Sequence, residues 1–121
     1  MLLRKTRKSL KDALSGLKTV WAEEHNFRIE VVAAIAVVFS IFYFNFSYIE
    51  SAFSILAIII VIAAEIVNTV IEDLCDRIEP NHDETIGKIK DTMAAFVLVS
   101  VTGAIIIGII IFVRHFSAVF L

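Results

Sequence analysis

At about 100° per residue, Glu65, Asn68, Glu72 and Asp76 fall near about 0°, 300°, 340° and 20° on a helix, so they share one narrow face. Asp73 falls outside it. Ionisable groups at bilayer depth cost about 2.5–3.5 kcal/mol each on insertion scales and normally face a protein interior or a water-filled cavity. Glu65, which follows a long apolar run, is therefore a candidate functional group by default. Upstream, Glu23 and Glu24 add carboxylates; downstream, Lys88 and Lys90 add cations. Such a set resembles a hard-cation and phosphate site more than a transition-metal site. Magnesium takes one or two carboxylates plus phosphate oxygens, so Glu24 and Glu72 could hold it if their helices meet. The chain has four glycines and neither G-x-x-x-x-G-K-[ST] nor G-x-G-x-x-G, which excludes a P-loop or Rossmann cradle. Any nucleotide must be held by side chains and metal. Lys90-Asp91 is expected to open the third span, where a helix N-terminus favours anions and Lys90 could add a point charge. Taken alone, Lys90, His82 and Arg28 read as interfacial anchors. For Glu65 and Asn68, a catalytic role and a polar contact between helices of an oligomer both stay open.

The elements that must position these groups follow from composition. Of 121 residues, 59% are hydrophobic and the mean hydropathy is +0.86, which marks an integral membrane protein. Residues 1–23 carry Arg4, Lys5, Arg7, Lys8, Lys11 and Lys18, with Leu10, Ala13, Leu14, Leu17 and Trp21 at helical spacing. That pattern predicts an amphipathic helix on the membrane surface. Its apolar stripe and lack of aromatic interleaving favour anionic lipid headgroups over nucleic acid as the partner. Residues 31–49 are nearly free of charge and long enough to cross roughly 30 Å of hydrocarbon. Asn45, Ser47 and Glu50 mark a turn, residues 52–64 lead into the charged stretch, and 77–90, with the single proline Pro80, reads as a polar loop. The expected fold is an all-α membrane protein in one domain over 1–121: a surface helix and three transmembrane helices over about 29–49, 51–76 and 91–115. Lysines and arginines crowd the N-terminus and the 77–90 loop, which places both on the cytoplasmic side. Ser100, Ala104 and Gly108 form a small-residue stripe that reads as a helix-packing face. Cys75, a lone cysteine, excludes an intrachain disulfide and reads as packing. So short a chain buries little by itself, and a homo-oligomer is expected.

The run Glu65-Ile66-Val67-Asn68-Thr69-Val70-Ile71-Glu72, followed by Asp76 and Lys90-Asp91, resembles the signature of the prokaryotic diacylglycerol kinase family, which includes the undecaprenol kinases. The likeness extends upstream through Gly16-Leu17, Trp21, Glu23-Glu24, Phe27-Arg28 and Glu30. It implies a homotrimer in the bacterial inner membrane that transfers the γ-phosphoryl group of ATP to a lipid hydroxyl, with magnesium. By that match Glu65 is the general base with Asn68 nearby, and Glu24 and Glu72 bind magnesium and through it ATP. Asp76, the Asn81-His82-Asp83 loop and Lys90-Asp91 flank the nucleotide, with Lys90 also serving the transfer. Lys5 and Asp12 stand on the nucleotide side, Asp12 where relatives place an aromatic; Arg4 is the other basic residue that fits near the start. Trp21, Arg28 and Glu30 join Glu65 on the lipid side. Asp76-Arg77-Ile78 leans toward the diacylglycerol branch, and Glu65 to Thr69 toward the undecaprenol branch. Diacylglycerol is the expected acceptor.

Two other classes compete. A small proton-coupled transporter could use a lone membrane-embedded Glu, but has no need of Glu24, Glu72, Asp76 and Lys90 at one border. A purely structural oligomer would use the polar residues only to fix helix register, and would consume no ATP.

Overall fold

The computed structural model describes the backbone of residues 1–120 and the side chains of residues 1–117. Leu121, the last residue of the expected domain, lies outside the described residues. Among these residues the chain is all helix and turn: α1 (Leu2–Glu23), α2 (His25–Tyr43), α3 (Tyr48–Ile78) and α4 (Glu84–Phe120). α2, α3 and α4 are each long and apolar enough to cross a membrane. α1 keeps Leu10, Leu14, Leu17 and Trp21 exposed along one stripe and buries Val20, in keeping with a helix that lies on a lipid surface.

The breaks fall where local chemistry places them. Glu24 has extended φ/ψ of −112°/111°, and its N–H donates to Val20 C=O at 2.8 Å, so one residue separates α1 from α2. α2 stops at Tyr43, short of the expected 49. Asn45 adopts a positive φ of 52°, a conformation asparagine tolerates better than most residues. Ser47 then starts α3 with a capping box: its Oγ accepts from Glu50 N–H at 3.1 Å, and Glu50 Oε1 accepts from Ser47 N–H at 2.9 Å. Glu50 is thus the third residue of α3 rather than part of the turn.

The loop after α3 is shorter than 77–90. Asp83 Oδ2 accepts from Ile86 N–H at 2.9 Å, an N-cap that starts α4 at Glu84. Lys90 and Asp91 therefore do not open the third span; they sit almost two turns inside α4, beyond the orphan N–H groups that would have favoured an anion there.

Length sets the depth of the polar residues. α3 has 31 residues, roughly 46 Å at ~1.5 Å per residue, against about 30 Å of hydrocarbon. Its surplus turns emerge at one end and carry Glu72, Asp73 and Asp76. Glu65, roughly 26 Å along α3 from Tyr48, sits at the border where the helix leaves the apolar layer. α3 packs most extensively on α4 and next on α2. Its buried contact stripe is small and polar: Ser54, Ala57, Ala64, Glu65, Asn68 and Thr69, which lets helices approach closely where lipid gives no hydrophobic drive. Cys75 is buried in the same face.

Candidate active site

Glu65 is 2% exposed, the most completely enclosed large side chain of the described residues. Its Oε1 has no hydrogen-bond partner. One turn on, Thr69 donates Oγ1–H to Glu65 C=O at 3.0 Å, a bond to the backbone, while the carboxylate has the Asn68 side chain beside it as a hydrogen-bond partner. Asn68 Nδ2 donates to Glu72 Oε1 at 3.3 Å, while Asn68 Oδ1 is buried and unpartnered. The face read from the 100° spacing thus closes into a short polar row, Glu65-Asn68-Glu72, facing inward.

Glu24 comes to this row from the α1–α2 joint. Its backbone caps α2 but its side chain makes no capping hydrogen bond, so the carboxylate is free to face α3. Partial burial holds the Glu24 carboxyl above its ordinary value, and the negative charges of Glu72, Asp73 and Glu23 push it further up. Glu65 also lies within the field of Glu24 and Glu72, and Glu30 within that of Glu65. Carboxylates so arranged repel one another and favour a cation between them. Among the described residues no three His, Cys, Asp or Glu side chains converge into a metal cage. A Glu24–Glu72 pair with hard oxygen donors fits magnesium, which keeps waters and phosphate oxygens as its remaining ligands.

At the emergent ends, Lys90 Nζ on α4 is paired with Asp76 Oδ1 on α3. Their side chains are 36% and 62% exposed, so this cation stands at the rim of the carboxylate row. The other candidates are not drawn in. Asn81 N–H donates to Glu79 Oε1 at 3.0 Å, Asp83 is spent on the α4 cap, and His82 and Asp91 are exposed. Lys5 and Asp12 lie exposed on α1 with no side-chain hydrogen bond or ion pair among the described residues, and Trp21 and Arg28 are exposed beside the joint. Glu30 is the exception, half-buried with Oε2 unpartnered.

Two groups escaped the sequence reading. Asp73, off the Glu65 face, still contributes to the field at Glu24, because Glu24 approaches α3 from the side. At the opposite end, Glu50 is 7% exposed and meets His115 Nε2 at 3.2 Å, with His115 stacked on Phe46 at 5.1 Å. The Ser47-x-x-Glu50 spacing was the available signal for Glu50; nothing in the sequence linked it to His115.

The model of the family described as prokaryotic diacylglycerol kinase matches residues 11–112. The diacylglycerol kinase of Escherichia coli (strain K12) is 33% identical over 102 residues, covering 84% of each chain. The diacylglycerol kinase of Haemophilus influenzae is 31% identical over 106 residues, covering 86% of this chain and 90% of its own. That of Shigella flexneri is 33% identical over 102 residues.

Proposed function

The chain belongs to the prokaryotic diacylglycerol kinase family and is a lipid kinase, and from the Glu65 row we propose that it phosphorylates the hydroxyl of diacylglycerol with magnesium-ATP. The observation that carries this reading is Glu65: an enclosed carboxylate with a free oxygen, at the border of the apolar layer, beside a carboxylate pair suited to magnesium. A lipid alcohol presents its hydroxyl at that depth, and a carboxylate within hydrogen-bond reach can take its proton. In the transfer, the lipid oxygen forms a bond to the γ-phosphorus, the bond to the ADP oxygen breaks, and the hydroxyl proton passes to Glu65 Oε1. Glu24 and Glu72 would hold the magnesium, which supplies charge neutralisation on the phosphates when bound. Asn68, through its bond to Glu72, is a positioning residue for that pair. Lys90 at the rim supplies a point charge toward the nucleotide, and Asp76 holds it there. Phosphoryl transfer mainly needs positioning and electrostatic stabilisation, so this small set suffices without a kinase fold.

The same reading carries an assembly and a place. One chain leaves much of its apolar surface exposed and leaves Lys5, Asp12, His82 and Asp91 away from the row, which supports a homotrimer whose sites are completed by a neighbour. The positive-inside distribution puts the N-terminus and the loop before α4 on the cytoplasmic side of the bacterial inner membrane, where ATP is available. The test is magnesium-dependent ATP turnover by the purified protein in mixed micelles, offering diacylglycerol and undecaprenol in parallel. Formation of phosphatidic acid is the expected result. Turnover on undecaprenol alone moves the protein to the other branch of the family, and turnover on neither overturns the reading.

A further inference from the structure

Among the described residues α1 is the helix that the bundle holds least. It packs against α2, yet Val20, in its last turn, is its one buried residue and every residue before it is exposed. From Leu2 to Val20 that is roughly 27 Å of helix at ~1.5 Å per residue with little protein against it. A lone helix of this size is marginal in water, so a surface must support it. On a wheel of about 100° per residue, Leu3, Leu10, Leu14, Leu17 and Trp21 fall between about 260° and 320°, and Arg7, Lys18, Lys11 and Arg4 between about 340° and 40°. The cations run as a row along one edge of the apolar stripe, and none has a hydrogen bond or ion pair among the described residues. The acids of α1, Asp12 and Glu23, lie on the far side near about 120° and 140°. Two copies of α1 set stripe to stripe would leave the cation row unanswered. An anionic lipid surface answers both the stripe and the row.

The joint makes the seating of α1 matter to the site. Glu24 closes α1 with its N–H bonded to Val20 C=O at 2.8 Å, and it is the single residue between α1 and α2. A change in the angle of α1 is therefore taken up by the backbone dihedrals of Glu24 itself, and its side chain turns with them. That side chain is the carboxylate that stands in the field of Glu72 and Asp73. We propose that α1 is a charge-sensing arm: seated on an anionic lipid surface it fixes the Glu24 carboxylate against Glu72, so that the magnesium pair is fully assembled only on such a surface. The proposal rests on the reading of Glu24 and Glu72 as magnesium ligands. Arg7, Lys11 and Lys18 act at a distance, through the position of Glu24. Trp21, the single tryptophan of the chain, lies on the stripe, 44% exposed, and reports the seating directly.

The full chain is reconstituted with diacylglycerol in vesicles of phosphatidylcholine alone or mixed with phosphatidylglycerol, and Trp21 emission and the initial-rate KM for magnesium-ATP are measured in each. Wild type is compared with the triple variant Arg7→Gln, Lys11→Gln, Lys18→Gln and with the charge-keeping Arg7→Lys, Lys11→Arg, Lys18→Arg. In wild type, anionic lipid is expected to move Trp21 emission to shorter wavelength and to lower KM, and added salt to reverse both. The glutamine variant is expected to lack the Trp21 shift and to keep a KM at least about fivefold above wild type on anionic vesicles, the weight of one cation near such a surface. On phosphatidylcholine the two should agree, and the charge-keeping variant should follow wild type throughout. A negative surface gathers magnesium for every variant alike, so the ratio between variants decides, not the wild-type change. Trp21 emission that ignores lipid charge, as it would under a neighbouring copy's helix, or that shifts equally in the glutamine variant, overturns the seating. A Trp21 shift confined to wild type with equal KM in both chains overturns the link to Glu24. Absence of wild-type turnover in either vesicle, with Trp21 still responding, overturns instead the kinase reading beneath the proposal.

Discussion

Replacing Glu65 by glutamine changes one thing at this site. The side chain keeps its shape, Oε1 has no partner to lose, and the glutamine amide oxygen can keep the bond with the Asn68 side chain. What disappears is a negative charge near Glu24 and Glu72 and, on the proposed assignment, the proton acceptor for the lipid hydroxyl. A positioned general base is worth about 10²–10⁴ in rate, or about 2.7–5.4 kcal/mol at ~1.36 kcal/mol per tenfold. Glu65→Gln is therefore expected to lose that factor in kcat with KM for magnesium-ATP little changed, since the loss is confined to the transition state. Melting temperature should hold or rise, because a repelling charge has been removed from an enclosed position. The assay couples ADP release to a chromatographic measure of phosphorylated lipid, in preparations matched for helicity and oligomeric state. Turnover within about tenfold of wild type, below the ~10² floor for base catalysis, refutes the assignment. A raised KM for magnesium-ATP at intact kcat would move Glu65 from the hydroxyl to the metal.

The Glu24 carboxyl is held above its ordinary 4.5 by partial burial and by Glu72, Asp73 and Glu23; protonated it cannot ligate, so magnesium affinity should fall with decreasing pH sooner than an ordinary carboxylate would dictate. The linked stability has the opposite slope: without metal the native state binds the extra proton, so stability drops as pH rises through the raised value and magnesium restores it. Magnesium titrations of turnover and of melting temperature between about pH 5 and 8 check both signs. Lys90→Ala should lower turnover and raise KM for ATP with little change in melting temperature, because the Lys90–Asp76 pair is largely exposed; a large melting shift with normal kinetics would make the pair structural. Ser47→Ala removes the capping box at the far end of α3 and should cost about 1 kcal/mol of stability, read as a lower melting temperature, with kcat unchanged.

Hydropathy located the three long helices because a run of apolar residues is unambiguous over the length of a bilayer, and the charge asymmetry located the surface helix. The helix ends were harder to read. Glu50 looked like a turn residue by type, yet its side chain closes a capping box and belongs to the helix. Residues 84–90 looked like loop because they are polar, whereas polarity there reports a helix that has left the apolar layer under an Asp83 cap. The Glu65 face was legible because helical spacing fixes it. That Glu24 lies in the field of Glu72 and Asp73 was not, because its placement depends on the single extended residue at the α1–α2 joint. Contacts between distant positions, such as Glu50 with His115, leave no periodic trace.

Under the proposed assignment, the placement of Glu24 would let few charges serve a reaction that other nucleotide enzymes perform with a glycine-rich loop. On α3 alone, Glu65 and Glu72 are about two turns apart, roughly 10 Å along the axis, so one helix cannot surround an ion and still reach a lipid hydroxyl. Under the proposed assignment, a second carboxylate from the α1–α2 joint completes the metal pair with Glu72 and leaves Glu65 for the lipid hydroxyl. The joint puts Glu24 in extended conformation with its side chain free of capping duty, so on that assignment the pair needs no bend in α3. On the same assignment acceptor and donor would meet along one helix, with Glu65 on the lipid side, Glu72 with Glu24 and the Lys90–Asp76 rim on the nucleotide side, and Asn68 donating to Glu72 between them.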